Sequence, residues 1–145
     1  MKPQLAVLAD SANLSQEGKL NILGEFNVLY AEGAPVTHPV LWFVAKMELG
    51  AADFGHHTTL LRVVDENGDT TMPPLTGEVD FPQPPNYAGD FLYWPVLLLV
   101  YNATFPDFGK YIFELRIDDQ IVAEVPVYIT RLPQGPNVAP GVGEA

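Results

Sequence analysis

Apolar and polar residues alternate along residues 110–117 and again along residues 121–130. A period of two is typical of a β-strand with one buried face, because successive side chains point to opposite sides. The intervening residues 118–120 are polar and few enough to form a tight turn. The pattern predicts an antiparallel hairpin. Pro126 lacks an N–H, so the second strand should lie at a sheet edge or carry a bulge there.

Turn residues separate two further pairs of β-forming segments. Asn67-Gly68 suits a turn that needs positive φ, and Gly18 marks a second break. The paired segments are residues 57–64 with 70–81, and residues 5–13 with 20–30. Gly24, inside the last of these, predicts a bulge or the close approach of another backbone.

Two segments, residues 39–49 and residues 91–101, are apolar on both faces, so each should be a central strand or be covered on both sides. Fourteen prolines and twelve glycines interrupt the chain, and no stretch offers a clean helical stripe. We therefore predict an all-β domain over residues 1–132. It should be an antiparallel two-sheet β-sandwich of about eight strands, with jelly-roll or C2/Ig-like topology. Residues 133–145 lack periodicity and are predicted to form a flexible C-terminal tail.

The chain is acidic, with 7 Lys and Arg against 18 Asp and Glu and a net charge of −11. The cations are scattered singly, so we expect neither nucleic acid nor an anionic membrane as a partner. The absence of cysteine excludes thiol chemistry and favours a reducing compartment, so we expect a cytoplasmic protein. The first apolar run stops at Asp10, too early for a signal peptide. No segment reaches the roughly 20 apolar residues of a membrane-spanning helix.

Several short motifs carry a further signal. They are residues 6–10, 12–14, 18–26, 35–39 and 106–111, and Pro126-Val127 in the last predicted strand. Together they resemble a family of short bacterial proteins known only as a domain of unknown function. The resemblance extends over nearly the whole chain except the tail. It implies a β-sandwich and an intracellular bacterial setting, and it assigns no catalytic or binding residue.

His56 and His57, preceded by Asp53, are the candidates for a metal site. Neighbouring residues of a regular strand point to opposite faces, so the two rings could share a metal only at a loop-to-strand junction. Asp53 or His38 would then have to serve as a third ligand. The alternative interpretation is that both are solvated loop histidines.

Loop carboxylates are a second candidate, for calcium. If the strands alternate in direction, one group of acidic residues gathers at each end of the sandwich. The groups are Asp10, Glu17, Asp53, Asp90, Asp118 and Asp119 at one end, and Glu32, Asp65, Glu66, Asp69 and Asp107 at the other. Ordinary acidic turns account for the same residues.

Known catalytic motifs are missing from the sequence: there is no G-x-S-x-G elbow, P-loop or G-x-G-x-x-G. A glycosidase needs two carboxylates at a fixed separation, and among 18 acidic residues some pair can always be proposed. We therefore predict no catalytic residue and no cofactor.

The aromatic residues of the two doubly apolar segments are candidates for an interface. They are Trp42, Phe91, Tyr93, Trp94 and Tyr101. An isolated sandwich covers only one face of each sheet, so a loop or another chain must cover the second face. We predict a non-enzymatic binding or interaction module that forms a homo-oligomer or binds a protein partner. The alternatives are a calcium- or metal-dependent binding domain and, third, a carbohydrate-active hydrolase.

Overall fold

The computed structural model describes residues 1–133, so the predicted flexible tail lies almost wholly outside the described residues. Between them the described residues form nine β-strands and a single 3₁₀ turn, Ala51–Asp53. The strands are β1 (Lys2–Leu14), β2 (Leu20–Phe26), β3 (Val28–Ala31), β4 (Val36–Leu49), β5 (Gly55–Val64), β6 (Leu75–Phe81), β7 (Leu92–Phe105), β8 (Gly109–Ile117) and β9 (Gln120–Arg131). The predicted all-β class is confirmed, with nine strands rather than about eight.

The strands form two sheets. Sheet A has the order β2-β1-β4-β7, and sheet B has the order β3-β9-β8-β5-β6. Every strand pair is antiparallel except β3 with β9, which run parallel. The prediction of a wholly antiparallel fold was therefore wrong at one strand.

That parallel strand comes from the segment predicted as one strand over residues 20–30. The chain leaves sheet A after Phe26, passes Asn27 and joins sheet B as β3. The Asn27 carbonyl accepts the N–H of Tyr128 at 2.9 Å, next to the first residue pair of β3 with β9. Phe26 and Leu29 both pack against the core, so the apolar pattern stays the same while the chain changes sheet.

The inner faces of both sheets share one hydrophobic core. Its largest fully buried side chains include Phe43 of β4, Phe105 of β7 and Phe113 of β8. Each such side chain contributes roughly 1.5–3 kcal/mol through burial. β4 lies between β1 and β7, which confirms the central position predicted for residues 39–49. β7, in contrast, is the last strand of its sheet, so residues 91–101 do not form a central strand.

All three predicted hairpin turns are present. Asp118 and Asp119 connect β8 to β9 with φ of 50° and 65°, the geometry of a two-residue hairpin loop. Gly68 has φ of 83° in the β5–β6 connection, where Asp65 Oδ1 accepts two backbone N–H groups. Gly18, also at 83°, lies in the β1–β2 turn.

β9 lies between β8 and β3, but at Pro126 no described strand pairs with its second side, so the edge position predicted for this proline is present locally. The short β3 pairs only with the last residues of β9, starting at Tyr128. The missing N–H of Pro126 therefore breaks no bond to β3. The register shift of this hairpin lies across the ladder, between Leu115 and Arg116, and not at the proline.

Gly24 in β2 has φ of 71°, and a Cβ there would lie 2.6 Å from Oδ2 of Asp10 in β1. The group that approaches Gly24 is a side chain and not the predicted backbone, and the register of β1 with β2 shows no bulge, so both predicted alternatives were wrong. Only glycine meets both the positive φ and the contact without strain.

Candidate functional site

His57 connects three segments at one end of the molecule. Its Nδ1 lies 2.5 Å from Oδ2 of Asp118 in the β8–β9 turn, and its Nε2 lies 2.7 Å from the backbone oxygen of Asp53. The ring packs against Phe81, and 13% of the side chain is exposed. The second carboxylate oxygen of Asp118 accepts the N–H of Thr58 at 3.0 Å. β5, the 3₁₀ turn and the β8–β9 turn are thereby held together.

Both ring nitrogens of His57 face hydrogen-bond acceptors. Neither a carboxylate nor a carbonyl can donate, so both contacts are hydrogen bonds only when each nitrogen carries a proton, which is the imidazolium form of the ring. The hydrogen bond that His57 donates to Asp118 raises the pKa of His57 even though burial lowers it. The same bond lowers the pKa of Asp118. The arrangement is a structural ion pair, and it leaves no nitrogen of His57 free to bind a metal.

His56 points to the opposite side of β5 from His57. Its Nδ1 lies 2.7 Å from Oδ1 of Asp80, and its Nε2 lies 3.3 Å from Oε1 of Glu78, both on β6. The hydrogen bond to Asp80 raises the pKa of His56. With 55% of the side chain exposed, this is a surface cluster.

The metal site considered from the sequence is not assembled. His56 and His57 are the second and third residues of β5, and even at this start of the strand their rings point to opposite faces and have separate partners. Asp53 meets His57 only through its backbone oxygen, and His38 lies elsewhere, beside Phe26. Within residues 1–133 no group of three or more His, Asp or Glu side chains is placed to hold a metal ion.

The loop carboxylates gather only in part. Asp53 and Asp118 meet through His57, as the predicted clustering at one end requires. At the other end, one shallow depression is lined by Lys110 together with Asp65, Glu66 and Asp107. There the Glu66 carboxylate accepts the backbone N–H of Lys110 at 3.1 Å. These contacts stabilise turns and leave no calcium cage in the described part of the chain.

A buried carboxylate between two arginines was missed from the sequence. Glu114 of β8 has 8% of its side chain exposed and accepts Nε of Arg116 at 2.7 Å and Nε of Arg62 at 3.2 Å. Arg62 lies directly opposite Glu114 across the β5–β8 pair. The alternation of the sequence showed that Glu114 and Arg116 share the outward face. It could not show that Arg62 joins them, because that contact depends on β5 lying beside β8.

A depression of about 650 Å³ lies on the outer face of sheet B, between β5, β6 and the β8–β9 turn. Its side chains are mainly polar and carry charges of both signs. They include Thr58, Thr76, Glu78, Arg116 and Asp119. With Glu78 and Asp119 against Arg116, the lining carries no concentration of positive charge.

The outer face of sheet A is apolar, as the sequence predicted. Its centre consists of register pairs between β4 and β7, which are Val40 with Tyr101, Trp42 with Leu99 and Val44 with Leu97. Val44 is fully buried although it lies outside the main core. Other residues of the chain must therefore cover this part of the face.

The β1–β2 hairpin supplies that cover. Leu20 and Ile22 of β2 line the same groove as Leu5 of β1 and Pro95 of β7. β1 also contacts β7, although β4 lies between these strands in the sheet. The hairpin therefore bends over the outer face of sheet A. Of the two alternatives, a loop or another chain, the chain's own hairpin accounts for part of the coverage.

Between the hairpin and β7 remains a groove of about 630 Å³. Its lining consists of apolar and aromatic residues together with Gly18, Lys19 and Lys46. No carboxylate lines it. The ammonium nitrogen of Lys46 lies 5.5 Å from the ring centroid of Tyr93. This cation–π contact holds the lysine at the groove. We call this feature the lysine groove.

Most of the predicted interface residues lie on the face of sheet A that remains open. Phe91, Tyr93 and Tyr101 are 69%, 42% and 62% exposed, and Trp42 is half-buried among them. Trp94 belongs elsewhere, because it points inward and packs against the core. Strand alternation puts Trp94 on the side opposite Tyr93, so it is not part of this face.

β7 also presents an unpaired edge. It is the last strand of sheet A, and no strand among residues 1–133 pairs with its outer side. Its 14 residues include no charged side chain, and only Pro95 lacks an N–H. An apolar edge of this length is a template for pairing with another chain. We call Val40, Phe91, Tyr93, Tyr101 and this edge the β7 surface.

Fold and surface together define an all-β protein of two sheets in which the β7 edge is long, apolar and open in the described chain. The family described as "Family of unknown function (DUF6941)" matches residues 4–130. The protein belongs to this family, and the resemblance seen in the sequence is confirmed. No curated protein matches the chain. Among residues 1–133 there is no helix long and apolar enough to cross a membrane.

Proposed function

We propose that this protein is a non-enzymatic interaction module that binds a second copy of itself through the β7 surface. The observation that carries the proposal is the coincidence of exposed aromatic residues with an unpaired edge. Phe91, Tyr93 and Tyr101 lie on or beside β7, an edge strand of sheet A with no outer partner in the described chain. Tyrosine and phenylalanine are enriched in the centres of protein interfaces.

The exposed area supports a contact of moderate size. The three aromatic side chains together expose on the order of 350 Å² of surface. A stable interface buries about 800 Å² from each partner, so the contact must also include Val40 and the edge of β7. A net charge of −11 opposes association of two copies. The residues of the β7 surface include no carboxylate, which limits the repulsion between two copies that meet there.

Two-fold symmetry suits this surface. Two β7 strands that pair antiparallel would be related by a two-fold axis, and each copy would use the same residues. Sheet A would then continue from one copy into the other, and the apolar edge would be covered.

We further infer that the two sheets form a β-sandwich, supported by the single core that they share. The lack of cysteine supports a cytoplasmic setting. The acidity and the scattered cations support a protein partner rather than nucleic acid or membrane.

Sedimentation equilibrium tests the proposal. The wild-type protein should be a dimer, and Tyr101→Lys should shift it to monomer while its circular dichroism spectrum remains that of the folded protein. Ile121→Lys is the matched control, because Ile121 is a 49% exposed residue of sheet B. It should leave the dimer intact. A wild-type protein that stays monomeric at millimolar concentration would overturn the proposal.

A further inference from the structure

We infer that the β7 strands of two copies pair in one register, with Leu97 on the two-fold axis and Tyr93 of each copy opposite Tyr101 of the other. This inference rests on the proposed self-association and adds which residues of the second copy each residue meets.

Tyr93 and Tyr101 are placed symmetrically along β7. Each lies four positions from Leu97, and the two are 42% and 62% exposed. Because alternate residues of a strand share a face, all three side chains lie on the outer face of sheet A. Residues directly opposite each other in an antiparallel pair also share a face. A two-fold axis at Leu97 therefore brings each tyrosine opposite the other tyrosine of the second copy.

The regular part of the β7 edge is centred at the same place. β7 begins at Leu92, and its extended backbone is interrupted at Asn102, where φ is 53°. The register of β4 with β7 omits this residue. A second strand can therefore follow the edge regularly from Leu92 to Tyr101. Pairing over this whole length places the axis within one residue of Leu97.

The register matches apolar side chains between the two tyrosine pairs. Leu97 meets Leu97 of the second copy, and Pro95 lies opposite Leu99. Pro95 has no N–H, so the pairing loses at most one backbone hydrogen bond in each half. The neighbouring registers that keep the faces matched would place Tyr93 opposite Leu99 or Ala103 and separate the tyrosines. Aromatic pairs across an antiparallel ladder are stabilising, which favours the register centred on Leu97.

The same axis brings the rest of the β7 surface into the contact. Val40 is the register partner of Tyr101 in β4, so it flanks each tyrosine pair. Tyr93 and Phe91 both line the lysine groove, where the Lys46 ammonium lies 5.5 Å from the Tyr93 ring centroid. Tyr101 of the second copy therefore borders this groove and extends its wall.

Disulfide cross-linking tests the register. The protein has no cysteine, so an introduced cysteine is the only thiol in the chain. Leu97→Cys places two thiols opposite each other across the axis, with α-carbons about 5 Å apart, which is within the range of a disulfide. Leu99→Cys is the matched control, because the two copies of this outward-facing residue are roughly 14 Å apart.

We expect mild oxidation to convert at least about tenfold more of the Leu97→Cys protein than of the Leu99→Cys protein to covalent dimer. A wild-type dimer whose Leu97→Cys variant cross-links no better than Leu99→Cys would overturn the register while self-association stands. A wild-type protein that remains monomeric in sedimentation equilibrium would overturn both.

A double-mutant cycle tests the tyrosine contact itself, with the dimer dissociation constant as the readout. Tyr93→Ala and Tyr101→Ala each remove one partner from both tyrosine pairs, so each should weaken dimerisation by about tenfold and the double variant little more. Tyr128→Ala, at an exposed tyrosine of sheet B, controls for the loss of a tyrosine and should leave the dimer intact. Losses that multiply to about a hundredfold in the double variant would show that the two tyrosines have separate partners, against this register.

Discussion

Nδ1 of His57 and Oδ2 of Asp118 are 2.5 Å apart, although 61 positions separate the residues in the sequence. The pair makes the stability of the fold depend on pH. The pKa of His57 is raised from 6.5, so its contribution is complete below 6.5 and is lost as pH rises through the folded-state pKa. The pKa of Asp118 is lowered from 3.8, so its contribution is complete above 3.8 and is lost as pH falls through the folded-state pKa.

Thermal melting should therefore show a maximum between pH 3.8 and pH 6.5, with the melting temperature falling as the solution becomes alkaline. The other groups around His57 are the Asp53 carboxylate, which also contributes to its raised pKa, and the α-amino group of Met1, 3.4 Å from that carboxylate. Asp118→Asn keeps the shape of the side chain and tolerates the positive φ of this turn. It should flatten the alkaline slope.

The control for this prediction is His56→Gln. The pKa of His56 is raised as well, mainly by the hydrogen bond to Asp80, so it adds to the slope in the same direction. Because its side chain is 55% exposed, we expect His56→Gln to remove only a small part of the slope. If the alkaline slope survives Asp118→Asn but disappears in His56→Gln, then His56 and not His57 causes it, and the prediction is wrong.

Gly24→Ala should lower the free energy of unfolding by about 2 kcal/mol, since a β-carbon is strained at positive φ. That β-carbon would also lie 2.6 Å from Oδ2 of Asp10, so the aspartate has to move. Urea unfolding measures the loss. Gly33→Ala is the matched control, because nothing lies within 4 Å of its added carbon. If the two variants are equally stable, the β1–β2 hairpin tolerates a different backbone at residue 24.

Tyr111 fixes the connection between β7 and β8. Its hydroxyl donates to the carbonyl of Asp107 at 2.7 Å and accepts the N–H of the same residue at 3.1 Å. Tyr111→Phe removes both bonds and should cost about 1–2 kcal/mol in denaturant unfolding. Tyr128→Phe, at a 45% exposed tyrosine, should change stability by less than about 0.5 kcal/mol. Similar losses for both would mean that the hydroxyl of Tyr111 contributes no more than that of a surface tyrosine.

Local patterns predicted the local parts of the fold. The turn at Asp118 and the turn at Gly68 follow from residues next to each other in sequence, and both are present. The change of sheet at Asn27 could not be predicted, because Phe26 and Leu29 are equally apolar in either sheet. Residue chemistry alone does not specify which sheet a strand joins.

For the candidate sites too, local features could be predicted from the sequence and contacts between distant strands could not. Alternation predicted that His56 and His57 point apart, and it predicted the apolar outer face of sheet A. It could not pair His57 with Asp118, or Arg62 with Glu114, because those contacts depend on the order β9-β8-β5. Nor could it show that the β1–β2 hairpin, and not only another chain, covers part of the outer face of sheet A.

The cluster of Glu114 with two arginines gives the last prediction. Glu114→Gln keeps the size of the side chain but removes the charge that separates Arg62 from Arg116. We expect a loss of about 2–4 kcal/mol, because two like charges are left facing each other in a half-buried position. Glu124→Gln is the control, since Glu124 lies opposite Glu114 on β9 and is exposed. Salt screens the repulsion, so the deficit of Glu114→Gln should shrink in molar sodium chloride. A deficit that does not depend on salt would attribute the loss to hydrogen bonding rather than to charge.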